Sequence, residues 1–128
     1  MGKRIGALQP EARARRDAAA ILKRSSEPFG EAASIRYETL IKQALNDIET
    51  DPERPGSTER PDILVAGVRT YHLSFSRSRV AGVGVKDPCH FLVYRCREDG
   101  VVEVARILHD GRELERHVPE TYRLKTSE

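Results

Sequence analysis

The chain predicts an α+β fold: a helical hairpin packed on one face of a small, mainly antiparallel β-sheet. The element order is β-α-α-β-β-β, with a short helical turn near the C-terminus. Three observations carry this. The apolar period is close to 3.6 residues up to about Glu49 and becomes 2 after Gly67. Between the halves lies TDPERPGSTERPD, with three prolines and a glycine in thirteen residues, a linker composition. Further on, Asp99-Gly100 sits between two apolar runs, which is a strong hairpin signal. With 128 residues the whole chain is one domain by size. Its core spans about residues 4–118, and 119–128 reads as a mobile tail.

Each element has its own reason. Lys3 to Leu8 reads as a short edge strand. Pro10 and Glu11 then stand where a first helical turn favours proline and an acid. Ala14, Ala18, Ile21 and Leu22 recur at helical spacing, giving a short Ala-rich helix that SSEPFG breaks. In the second helix, Glu31 to Glu49, the apolar residues Ala33, Tyr37, Leu40, Ile41, Ala44, Leu45 and Ile48 form a one-sided stripe. Two helices joined by about five residues make an antiparallel hairpin.

After the linker, Arg69, Tyr71, Leu73 and Phe75 alternate with Thr70, His72 and Ser74, as in a half-buried strand. Ser76 to Pro88 is a glycine-containing loop. Phe91–Arg97 and Val101–Leu108 are the last strands. Their apolar residues occupy both parities, as strands covered on both faces require. The helical hairpin covers one face. Little of the chain remains for the other, which predicts a partner there. Asp110 at N-cap and Glu113 at N3 fit a capping pair that opens a last turn through GRELERH.

Composition narrows the function classes. The net charge is +2, too small to advertise nucleic-acid binding. It conceals segregation, however: residues 1–26 carry seven basic and two acidic side chains, and residues 27–62 carry four and nine. No apolar run approaches the roughly 18 residues that a membrane span needs. The N-terminus lacks the apolar core of a secretory signal, so the expected location is the cytoplasm. Cys89 and Cys96 in one strand would lie roughly 23 Å apart, at about 3.3 Å per residue, and could neither bridge nor share a zinc ion. No cofactor or metal is expected.

The chemistry-bearing stretch is His90 to Leu114, in which two greasy strands run straight into the polar knot His109-Asp110-Gly111-Arg112. His109 is either a packed strand end or a partner contact. Asp110 reads as a cap rather than a base. His72 and His90 read as cross-strand partners, His117 as a dipole-complementing helix residue, and Tyr94 as core. Arg95 and Arg106 can pair with Glu103 or with acids of a partner. Arg77, Arg79 and Lys86 form a solvated loop or a partner patch.

Several strings together resemble a family. LQPEA precedes the first helix, FGEAASIRYETL opens the second, and GVRTYHL begins the meander. HFLVYR then precedes EDGVVEVARILHDGRELERHV. Over roughly residues 4–118 these resemble the RelE/ParE superfamily of bacterial type II toxins, closer to ParE. The resemblance implies a toxin that poisons DNA gyrase by binding, blocks replication, and is silenced by a ParD-like antitoxin. Contact with DNA would come only through that antitoxin. It suggests Arg95, Arg106, His109 and Arg112 as target contacts, and Tyr71, Arg77, Arg79 and Phe91 as antitoxin contacts. RelE-type relatives instead cleave mRNA on the ribosome, using basic residues on the third strand and beyond the last one. Phe91 and Asp110-Gly111 occupy those places here, which speaks against a nuclease. An antitoxin-binding remnant without toxicity is the third class.

Overall fold

The computed structural model describes residues 7–82, 84–112 and 114–124. The first helix, α1 (Ala12–Phe29), runs straight through the Ser-Ser-Glu-Pro segment that its composition marks as a breaker. Pro28 stands in the final turn, where its missing N–H removes only one hydrogen bond at an already fraying end. The break comes instead at Gly30, whose φ of 87° is open to glycine at no steric cost. The second helix, α2 (Glu31–Thr50), starts at the next residue. The hairpin joint is therefore one residue, not five. Ser34 Oγ donates to the Leu22 carbonyl at 3.0 Å and ties the two helices together.

Five strands make one sheet in the order β1-β5-β4-β3-β2. Strand β1 (Leu8–Pro10) lies two residues or more C-terminal to most of the expected Lys3–Leu8 strand, and residues 3–6 are outside the described set. It pairs parallel with β5 (Val102–His109), while every other pairing is antiparallel. The proline-rich linker contains an unexpected strand, β2 (Ser57–Glu59), which pairs with β3 (Val68–His72). Ser57 is buried; its hydroxyl accepts Arg69 Nε at 2.6 Å and is hydrogen-bonded with the Tyr94 hydroxyl at 2.5 Å. Strand β3 is shorter than its alternation promised. At Leu73 the chain turns into a 3-10 helix (Leu73–Arg79), because the His72 Nδ1 accepts the Ser74 N–H and caps it. Strand β4 (His90–Cys96) pairs with β3 and β5.

The helix-side core contains Leu40, Ala44, Ile48, Tyr71, Leu92, Tyr94 and Val104, all essentially inaccessible. Tyr94 is core, as its setting suggested. Buried Asp47 in α2 is satisfied by Ser76 Oγ at 2.6 Å and Arg79 Nε at 2.9 Å, which docks the 3-10 helix against the hairpin.

The opposite face is not bare. Val68, Val93, Ala105 and Leu108 of the sheet pack against Leu64, Leu114, Val118 and Tyr122 in a second cluster. Burying side chains of this size contributes on the order of 1.5–3 kcal/mol each. Of the supposed mobile tail, residues 119–124 are described and join this layer: Tyr122 is fully buried, and its hydroxyl donates to Glu103 Oε2 at 2.6 Å. Its carbonyl accepts the Val65 N–H at 2.9 Å. Thus the expectation of an uncovered face is overturned, because irregular segments on either side of the sheet sequence fold back over it. The last-turn cap also differs. Leu114–Arg116 form only a 3-10 turn, and Asp110 is engaged elsewhere; Glu113 lies outside the described residues.

Candidate functional site

A groove of about 860 Å³ opens between the tip of the helical hairpin and the ends of β4 and β5. The one-residue joint at Gly30 creates its upper wall. It sets Arg24 and Arg36, six residues before and after the glycine, on the same end of the hairpin. Ile21, Pro28, Phe29, Ala33 and Val85 supply apolar lining, with Phe29 75% exposed. Lys86, His109 and Arg112 complete the rim. The lower edge is held by the Asp110 N–H, which donates to the Cys89 carbonyl at 3.0 Å and fixes the turn beyond β5.

Imidazoles cluster along this edge. The Tyr37 hydroxyl accepts the Cys89 N–H at 3.1 Å and is hydrogen-bonded with His90 Nδ1 at 2.7 Å. His90 meets His109 edge-on, 5.2 Å between ring centroids. Burial pushes the His90 pKa down to about 4, and the neighbouring His109 adds to the depression. Burial likewise raises the Tyr37 hydroxyl above its ordinary value. The pair is thus neutral at pH 7 and serves as groove wall. His72 Nε2 reaches Asp110 Oδ1 at 2.7 Å, so Asp110 clasps the end of β3 instead of capping a helix.

The candidate target residues divide. Arg106, His109 and Arg112 line the groove, but Arg95 lies on the other face. There it stacks 4.9 Å from the Tyr122 ring centre and pairs with Glu103 at 3.2 Å. Arg106 is committed. Its Nε and Nη2 donate to Asp17 at 2.8 and 3.0 Å, and its Nη1 donates to the His117 carbonyl at 2.7 Å. A bulge between Val93/Tyr94 and Arg106/Val104 leaves Ala105 as the extra residue just before this arginine. Beyond the end of β1, the Asp17 carboxylate also accepts the Ile107 N–H at 2.9 Å, in place of a sheet neighbour. His117 lends its carbonyl to this knot and is not in a regular α-helix.

Among the candidate antitoxin residues, Tyr71 is fully buried with its hydroxyl on Ser76 at 2.8 Å, and it offers no surface to a partner. Arg79 holds Asp47, and Arg77 donates to the Lys86 carbonyl. Phe91 is half-buried against the second cluster and lines a smaller cavity of about 430 Å³ with His72, Phe75 and Asp110. Arg24, Arg36 and Phe29 were missed from sequence. Their grouping depends on the joint being Gly30 alone, which the Ser-Ser-Glu-Pro composition hides.

Residues 8–114 match the family model described as ParE toxin of the type II toxin-antitoxin system, parDE. The chain belongs to the ParE toxin family. No curated protein sequence matches it. Among solved structures, the chromosomal ParDE TA system from P. aeruginosa superposes with a TM-score of 0.60 at 14% identity. That alignment covers 84% of this chain and 98% of the other, a likeness of fold. Within the ParE frame the second sheet face is covered by the chain's own residues, and the hairpin-tip groove is an open concave surface. No helix among the described residues is long and apolar enough to cross a membrane.

Proposed function

We propose that this ParE-family chain is a toxin that inhibits DNA gyrase by protein–protein binding in the cytoplasm, and that a ParD-like antitoxin neutralises it. Family membership supports the toxin assignment. The observation that carries the binding mode is the state of the groups a nuclease would need. RNA cleavage requires a base within reach of a hydroxyl and cations aimed at the developing phosphate charge. Here Arg106 is consumed by Asp17, Asp110 by His72, and His90 by Tyr37. What remains at the groove is an apolar trough rimmed by His109, Arg24, Arg36, Lys86 and Arg112, a surface we read as suited to capture rather than turnover. His109 and Arg112 face the target in this reading, while Phe91 and Arg77 meet the antitoxin.

The test is gyrase supercoiling with the purified chain. Supercoiling should stop at micromolar levels or below and resume when antitoxin is added. Undiminished supercoiling, together with cleaved messages in expressing cells, would move the chain to the ribosome-dependent nucleases.

A further inference from the structure

We infer that the hairpin-tip groove captures an acidic, apolar-anchored segment of the toxin's protein target, and this rests on the binding mode proposed above. Three observations point the same way.

The first is charge without counter-charge. Among the described residues, the groove is lined by Arg24, Arg36, Lys86, Arg106 and Arg112 against two carboxylates, Asp17 and Asp87. Asp17 is spent on Arg106. Among the described residues, no side-chain ion pair involves Arg24, Arg36, Lys86 or Arg112. Elsewhere Arg54, Arg60, Arg69, Arg79, Arg95 and Arg97 hold carboxylate partners, while Arg15, Arg77 and Arg123 donate to backbone carbonyls. Four unpaired cations around one concavity raise the local concentration of an anionic partner and speed its approach.

The second is the apolar interior. Phe29 projects from the hairpin tip with most of its surface in water, beside Pro28, Ala33, Ile21 and Val85. An exposed aromatic at the mouth of an apolar trough is the kind of anchor on which binding energy concentrates. Nucleic acid would be met by cations spread along a face. Here they ring a greasy floor, and the imidazole of His90 inside it is neutral.

The third is fit. At about 860 Å³ the groove exceeds a single side-chain pocket and is open along one side, with room for a short helical or extended segment. Carboxylates flanking one apolar stripe would place the acids on Arg24, Arg36, Lys86 and Arg112 and the stripe against Phe29.

Two arms test this. The groove chemistry alone is probed with a synthetic amphipathic Leu/Glu helical peptide and its Leu/Lys counterpart. The wild-type chain should bind the acidic peptide and discriminate against the basic one. The Arg24→Glu, Arg36→Glu, Arg112→Glu triple variant should lose at least about tenfold in affinity. Among the described residues these side chains make no ion pair that the changes would break, so the melting temperature, measured in parallel, should hold. Equal binding of both peptides, or no loss in the triple variant, overturns the inference. The source of the segment is tested on gyrase itself. The triple variant should bind gyrase at least about tenfold more weakly at physiological salt while keeping antitoxin affinity. A photo-crosslinking Phe29→p-benzoylphenylalanine variant should then label a gyrase segment rich in Asp and Glu. If antitoxin binding is lost and gyrase binding kept, the groove belongs to the antitoxin and the inference is wrong. A wild-type chain that binds the acidic peptide but never gyrase refutes the proposed target while leaving the groove chemistry intact.

Discussion

Asp17→Ala should be among the most damaging single changes in this protein, because Asp17 is an acid on the inward face of an Ala-rich helix, in line with Ala14 and Ile21. Its carboxylate accepts both Arg106 nitrogens and the Ile107 amide, and it closes the edge of β5 where β1 has ended. The two side chains are 16% and 11% exposed, so the pair is mostly withdrawn from water. Removing one partner of a buried pair costs about 3–5 kcal/mol, because the other charge is stranded. The remaining exposure and the bond from Arg106 to the His117 carbonyl reduce this, and about 3 kcal/mol is expected. For a domain of this size, 1 kcal/mol corresponds to roughly 3–5 °C in melting temperature, so the variant should melt about 10 °C lower. Arg106→Leu should cost less, since it leaves a carboxylate that still holds the Ile107 amide. The Asp17→Leu, Arg106→Leu double variant should recover part of the loss. Calorimetry on the four proteins gives the coupling energy directly. A shift below about 3 °C for Asp17→Ala, or strict additivity in the cycle, would refute the claim that this pair clamps α1 and the C-terminal layer to β5.

Three further outcomes follow from named contacts. His90 is held neutral, with its folded pKa near 4 against an ordinary 6.5, so the unfolded chain binds more protons between those values. Stability should therefore fall as pH drops from 6.5 toward 4. Thermal melts of His90→Gln across that window should show a shallower slope than wild type, and equal slopes would contradict the assignment. Gly56 has φ of 100°, and an added Cβ would stand 2.6 Å from the Phe75 ring. Gly56→Ala should cost about 1–3 kcal/mol by denaturant titration, and Phe75→Ala in the same chain should relieve the contact but not the backbone strain. Tyr122→Ala should lose about 3–5 kcal/mol and increase dye binding to newly exposed apolar surface; no more than 1 kcal/mol would show that the C-terminal layer is only loosely applied.

What could be read from the residues was the part governed by regular repeats. The stripe of Tyr37, Leu40, Ile41, Ala44 and Ile48 specified α2 to within a residue at its C-terminal end, and all five are buried. Asp99-Gly100 specified the β4–β5 turn, where the Val101 amide donates to the Asp99 carboxylate at 3.1 Å. What escaped was decided by single contacts that carry no period. A three-residue strand such as Ser57–Glu59 shows no alternation long enough to detect, and it is fixed by Arg69 and Tyr94, which are distant in sequence. Pro28 looked like a breaker because its cost depends on position, and near a helix end the cost is small. Tyr122 looked like tail because one aromatic between polar neighbours gives no pattern, yet Glu103 and the Val65 amide hold it. For the site, His109 and Arg112 were legible from the polar knot, whereas Arg24 and Arg36 needed the three-dimensional joint.

The covered second face changes what a partner is for. Had the sheet been bare on one side, an antitoxin would complete the core, and the lone chain would be unstable without it. With Leu64, Leu114, Val118 and Tyr122 already in place, folding does not wait for a partner. Any stabilisation on binding then comes through mass action alone: about 2.7 kcal/mol at a hundredfold excess over Kd, with no new core formed. Recognition moves from a greasy sheet to a concave surface where charge is unbalanced. A surface of that kind favours fast, salt-sensitive encounter, whereas completing a core would favour slow and obligate assembly. On the proposed function, a silencing partner that binds through Phe91 and Arg77 would therefore act by hindering access to the target, not by repairing an unfinished fold.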